Sequence, residues 1–195
     1  MKGLLTAVSL VALLATAPAW AQTTASPQPL SNQDKTFLNK AGAGNRAEVE
    51  LGRLAMRQAA TPAVKEFGRW MATDHTLANK RLARIGDTIG HPIHPQPTPQ
   101  DIALKNRLQG LPGAQFDTQY MQAMVQDHQK DIQAFRQEAQ NGQAQMLKMY
   151  ARNMLPVIKQ HLAEAEQLAG GNGLAVGTAG RSTMGAGSSI QHYNR

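Results

Sequence analysis

Glu48, His75, His128 and His161 are the residues of this sequence whose types and positions could do chemistry. A neutral imidazole offers one nitrogen lone pair and a carboxylate offers an anionic oxygen. Three of the first with one of the second suit a single zinc, copper, nickel or iron ion. Two of the histidines end the same short pattern, "MATDH" at Met71–His75 and "MVQDH" at Met124–His128. The preceding Asp74 and Asp127 point about 100° away on a helix. From there they can orient a neighbouring imidazole from behind or cap the polar edge.

These residues need helices to position them, and the sequence predicts four long ones. Read at three- and four-residue spacing, each carries an apolar seam with one interruption. Glu48 lies between Phe37 and Leu51, His75 between Met71 and Ala78, His128 between Met124 and Ile132, and His161 between Ile158 and Ala165. The interruptions therefore point inward, where an unpaired charge costs several kcal/mol. Two readings follow. In one the four groups bind a metal, with Asp74 and Asp127 behind them. In the other they form a metal-free, hydrogen-bonded cluster that sets helix register.

Breakers give the bounds. One helix runs from about Asn32 to Ala59; Thr61-Pro62, an N-cap followed by proline, starts the next, which ends near Thr88. "GHPIHPQPTP" (Gly90–Pro99) is a long break holding a surface loop with His91 and His94. A short helix ending near Gln109 follows, then helices over about Ala114–Gln140 and Gln143–Ala169. Two short turns and one long crossover predict an all-α, ferritin-like four-helix bundle: two antiparallel helical hairpins, with a short extra helix in the crossover. Counting along the helices puts Glu48, His75 and His128 at comparable heights in their hairpins. It leaves His161 about six residues, or ~9 Å, out of level, with a kink at Pro156 or a longer turn to absorb part of that offset.

Weaker signals are read as structure. Met71, Met121, Met124, Met146, Met149 and Met154 could give thioethers to copper(I) or a non-covalent haem, but helical spacing makes them core filler. Asp131 and Glu164, three residues after histidines, fall off the seams. No nucleophile–histidine–acid set, paired catalytic carboxylates or phosphate loop is present, so no enzyme activity is assigned.

The ends and the composition bound the setting. Residues 1–21 have the layout of a signal peptide, with Lys2, an apolar run and Ala19-Trp20-Ala21 before cleavage; residues 22–33 are a linker, 34–169 the folded domain and 170–195 a disordered Gly/Ser-rich tail. The expected location is periplasmic or secreted. There is no cysteine, which rules out disulfides, thiolate ligands and a lipid anchor of the lipoprotein type. A formal charge of +7 is spread over separate helices. That excludes nucleic acid as the expected partner of an exported chain and leaves weak association with an anionic membrane surface or envelope components.

Three stretches, "AEVELGRLAMRQAATPAVKEFGRWMATDHTLANKRL", "FDTQYMQAMVQDHQKDIQAFRQEA" and "NMLPVIKQHLAEAEQL", together resemble the bacterial domain-of-unknown-function family 4142. The resemblance spans Asp34 to Leu168. Its pattern falls on Glu48, Asp74, His75, Asp127, His128, Pro156 and His161. It implies export and a ferritin-like fold, and no activity. The Glu-x-x-His pairs of di-iron ferritins occur nowhere in the chain, so oxygen-activating di-iron chemistry and iron storage are not expected. Two functions remain: an exported protein binding a single transition metal through Glu and His, or a non-catalytic envelope interaction or stress module whose Glu/His cluster is structural.

Overall fold

Three of the five helices start where a side-chain oxygen is at hand for their free amides. Ser31 and Asp34 form a capping box at the head of α1 (Asn32–Gln58), and Thr98 with Asp101 forms another at the head of α3 (Pro99–Gln109). Thr61 caps α2 (Pro62–Thr88), whose first residue is proline. The remaining helices, α4 (Gly113–Asn141) and α5 (Gln145–Ala169), have no side-chain cap of their own. The computed structural model describes residues 29–170, and among these the chain is all-helical, with five helices and no strand. The expected signal peptide, the linker up to residue 28 and the tail from residue 171 lie outside the described residues.

Aspartates tie the two hairpins to each other. Asp34 on α1 accepts the amides of Gln143 and Ala144 in the α4–α5 turn at 3.0 and 3.1 Å. Asp117 on α4 accepts those of Ala60 and Thr61 in the α1–α2 turn, both at 2.9 Å. Three residues beyond each aspartate stands an aromatic ring that meets one from the other hairpin: Phe37 against Tyr150 at 6.3 Å, Tyr120 against Phe67 at 6.1 Å. The hairpins thus repeat each other, α1 matching α4 and α2 matching α5. These ties also fix direction. α1 and α5 run away from the α4–α5 turn, and α2 and α4 run towards it.

The crossover returns along α1. Gly90, in the left-handed region at φ 72°, ends α2; Ile93 is buried and Pro95 packs on Gly42. Higher up, Lys105 pairs with Glu50 at 2.8 Å, and the Gln58 side-chain amide donates to the carbonyls of Leu108, Gln109 and Leu111. Within the first hairpin the backbones nearly touch. A Cβ on Gly52 would stand 2.5 Å from the Gly68 carbonyl oxygen, so α1 and α2 approach this closely only because both positions are glycine.

The interior has three levels. One apolar cluster, around Phe37, Leu82, Phe135 and Tyr150, fills the end near the α4–α5 turn. A second, around Leu51, Phe67, Met71 and Tyr120, fills the other end. Between them lies a layer of buried polar residues: Asn45, Glu48, Asp74, His75, His128 and His161. Each expected seam interruption falls in this layer.

Candidate metal centre

Three of the four long helices each send one histidine into the layer, His75 from α2, His128 from α4 and His161 from α5. All are buried, at 3%, 0% and 0% exposure. One potential ligand nitrogen from each lies within 4.8 Å of the other two. The ring centroids are 5.4 Å apart for His75–His161 and His128–His161, and 5.9 Å for His75–His128.

His161 is therefore level with the others, against the ~9 Å offset expected for it. Two effects close the gap. Residues between Asn141 and Gln145 turn the chain instead of adding rise, so His128 lies thirteen residues before the end of α4 and His161 sixteen after the start of α5. The remaining offset, about three residues or ~4.5 Å, is met by side-chain lean. Side chains tilt towards their own helix N-terminus, so His161 leans one way along the axis and His75 and His128 the other, towards it. Helix α5 passes through Pro156 as a single helix.

Each ring has one nitrogen engaged and one left bare. His128 Nδ1 is 2.9 Å from the Met124 carbonyl oxygen, which can only accept, so that nitrogen carries the proton. His161 Nε2 is 3.1 Å from the Asp74 carboxylate, across the α2–α5 contact. His75 Nδ1 is 2.9 Å from Asn45 Oδ1. The opposite nitrogens, His75 Nε2, His128 Nε2 and His161 Nδ1, are buried with no hydrogen-bond partner. Burial holds all three imidazoles below their ordinary range, and for His75 and His161 the neighbouring histidines add to it. His161 is thus neutral, and its contact with Asp74 is a hydrogen bond between a neutral ring and a carboxylate. Three lone pairs without a protein partner in a buried layer are the donor set that a transition metal takes.

Glu48 shares the layer without belonging to the group of three. It is buried at 4% exposure with Oε2 unpartnered, and burial pushes its carboxyl well above the usual range. Tyr120, whose buried hydroxyl is also unpartnered, is raised by burial and by this glutamate. Asp74 supports His161 rather than its sequence neighbour His75. Asp127 pairs with Lys130 at 3.2 Å near the surface, and the ring of His128 is held by the Met124 carbonyl instead. Asp131 and Glu164 are half-buried and outside the group.

Two residues that matter here, Asn45 and Tyr150, are not among the sequence candidates. Asn45 stands one turn before Glu48 on the same face, so inward polarity could have marked it. Tyr150 reads from the sequence as core. Of the methionines, Met71, Met121, Met124 and Met154 are core as expected, whereas Met146 and Met149 are exposed at 39% and 51%. They occupy the first turns of α5, on a face that no other helix covers. His91 and His94 sit in the crossover, half-buried and exposed, on either side of the buried Ile93.

The sequence model of the family described as Domain of unknown function (DUF4142) matches residues 19–168. No curated protein matches the chain. A crystal structure of a DUF305 fragment from Deinococcus radiodurans is similar with a TM-score of 0.64, covering 73% of this chain and 99% of that one at 14% identity. Likeness at that identity speaks for the helical fold alone.

Proposed function

Given that the chain belongs to the DUF4142 family, we propose that it binds one transition-metal ion through His75, His128 and His161. The observation that carries this reading is the set of three bare imidazole nitrogens. Leaving a buried polar atom unpaired costs about 1–3 kcal/mol, and a metal ion is the ligand that would relieve all three at once. The ring nitrogens would close from within 4.8 Å to roughly 3.3 Å for a tetrahedral ion bonded at about 2.1 Å. Zinc, copper, nickel and iron all accept imidazole. Glu48, with its bare oxygen in the same layer, is the candidate fourth donor.

When bound, such an ion supplies a Lewis-acid or redox centre, but the surroundings favour holding it over turning over a substrate. The histidines are 0–3% exposed. Two surface grooves, of about 300 and 410 Å³, are lined by other residues. We read the protein as a ferritin-like four-helix bundle, exported through the signal peptide at residues 1–21, that handles a metal or protects the envelope from it. No helix of the described residues is long and apolar enough to cross a membrane.

The second reading, a purely structural layer in an envelope module, draws on the cross-helix hydrogen bonds His75–Asn45 and His161–Asp74. One experiment separates the two. Protein recovered from the periplasm is assayed for bound metals, stripped, and titrated with zinc(II) and cobalt(II). Cleavage of residues 1–21 removes Trp20 and leaves Trp70 as the only indole. Its ring lies 5.1 Å from that of His161, so cobalt quenches its emission. One ion per chain is expected, lost in His128→Ala and His161→Ala. Wild-type protein that arrives metal-free and stays so through the titration ends the metal reading and leaves the structural one.

A further inference from the structure

We infer that Asn45 and Tyr150 are positioning residues for the histidine site: they hold His75 with its proton on Nδ1, so that Nε2 is the lone pair offered to a ligand. The inference rests on the metal-binding reading only for the purpose of the arrangement, since the arrangement itself can be measured in metal-free protein.

His128 and His161 need no such help. A backbone carbonyl and a carboxylate accept, and each selects a tautomer directly. The partner of His75 is a side-chain amide, which can present either its oxygen or its nitrogen, so Asn45 alone selects nothing. Tyr150 makes the selection. Its hydroxyl lies 3.4 Å from the Ala78 carbonyl oxygen, which can only accept, so the hydroxyl proton points there. The phenol oxygen then has lone pairs left, and Asn45 Nδ2 donates to one of them at 3.3 Å. With its nitrogen committed, Asn45 turns Oδ1 to His75, 2.9 Å from Nδ1. An amide oxygen accepts, so Nδ1 must donate. The chain runs from α2 through α1 and α5 and back to the main chain of α2, three residues beyond His75. Asn45, Tyr150 and His75 are 5%, 2% and 3% exposed, which leaves solvent little access to replace a link.

The hairpin repeat gives the arrangement its context. Asn45 lies eleven residues after Asp34, and His128 lies eleven residues after Asp117. At equivalent places one hairpin carries a ligand candidate and the other carries the residue that orients one. The site is consequently lopsided, with histidines on α2, α4 and α5 and the amide that orients His75 on α1. A partner that fixes the tautomer of a ligating histidine is worth about 10–100-fold in metal affinity.

The test uses metal-free protein labelled with ¹⁵N-histidine, read by long-range ¹⁵N–¹H correlation at neutral pH. Wild type is expected to show Nδ1–H for His75 and His128 and Nε2–H for His161. Asn45→Leu should move the His75 proton to Nε2 or split it between the nitrogens, while Asn45→Asp, which keeps an acceptor oxygen, should retain Nδ1–H. Tyr150→Phe frees the amide to turn and should also mix the His75 tautomers. It supplies the reading if Asn45→Leu does not fold. An Nε2–H pattern for His75 in wild type, or an unmoved Nδ1–H in the folded Asn45→Leu or Tyr150→Phe protein, overturns the inference. Cobalt(II) affinity should fall about 10–100-fold in Asn45→Leu and recover in Asn45→Asp; equal affinities in all three proteins also overturn it. A wild type that binds no cobalt defeats the metal reading, and the tautomer pattern still decides this one.

Discussion

At the scale of the residue, the histidine layer has an energetic signature that separates a ligand site from a structural one. His128 makes one hydrogen bond, to the main chain of its own helix, and leaves Nε2 bare. Replacing a buried, half-satisfied polar group with an apolar one of similar size is often neutral or stabilising. His128→Leu is therefore expected to melt at the wild-type temperature or higher when both are metal-free. Only wild type should gain from excess zinc(II), by about 2.7 kcal/mol at a hundred times its dissociation constant, which is on the order of 5–10 °C in a chain of this size. A clear loss of metal-free stability in His128→Leu, with no zinc effect in either protein, would show that the ring is there for packing. The inward direction of these side chains was legible, because a polar residue on an apolar seam has one place to go. Their bare nitrogens were not. Those depend on Asn45, Asp74 and the Met124 carbonyl, and two of these three lie on a different helix from the histidine they hold.

At the scale of the element, the helices were readable because their signals are local. Ser31, Thr61 and Thr98 announce starts, Gly90 a stop, and Pro62 and Pro99 stand at first helical positions. Less readable was the contact between elements. Nothing in the local pattern around Gly52 or Gly68 says that α1 and α2 meet there, since a glycine inside a helix normally only weakens it. A Cβ on Gly68 would stand 2.7 Å from both the Gly52 carbonyl oxygen and the Ala55 Cβ. Gly68→Ala should then push the helices apart and destabilise the fold by about 1–3 kcal/mol, despite the better helix propensity of alanine. Urea denaturation checks this, and a stabilised variant would mean that the crossing is looser than described. The doubled Met-x-x-Asp-His pattern does not follow the hairpin repeat. It lies on α2 and α4, which the hairpin repeat does not match to each other, and its two aspartates have different partners, His161 for Asp74 and Lys130 for Asp127.

At the scale of the whole molecule, buried ionisable groups of both kinds make stability depend on pH in two opposed ways. His75, His128 and His161 are held below their ordinary value of 6.5 by burial. Below that pH the unfolded chain binds more protons than the folded one, so stability falls as the solution is acidified. Glu138, at the α4–α5 turn, is pushed up from 4.5 to about 7 by burial and by the adjacent Asp34, and Glu48 is raised by burial. Between about pH 4.5 and 7 the folded chain keeps protons that the unfolded one releases, so these groups make stability fall as pH rises. The two sets, the second joined by Asp131, which burial raises from 3.8 to about 7, offset each other from about 4.5 to 6.5. Below 4.5 the histidines act together with Asp34, Glu50 and Glu66, whose lowered carboxyls also cost stability as they take up protons. A urea midpoint that changes little over the first range and drops steeply below it is expected. In Glu138→Gln the midpoint should instead climb with pH between 4.5 and 7. An unchanged profile would show that Glu138 holds no extra proton in the folded state.

The sequence by itself determined the all-helical class, the helix bounds to within a few residues and the inward placement of Glu48, His75, His128 and His161, because capping, breaking and seam periodicity act within one or two helical turns. Only the tertiary structure decided that His161 closes on His75 and His128 while Glu48 stands outside that group. Convergence depends on where the α4–α5 turn spends its residues and on the opposite lean of side chains from antiparallel helices. Both are properties of how separate elements meet, and no window along a single helix contains them.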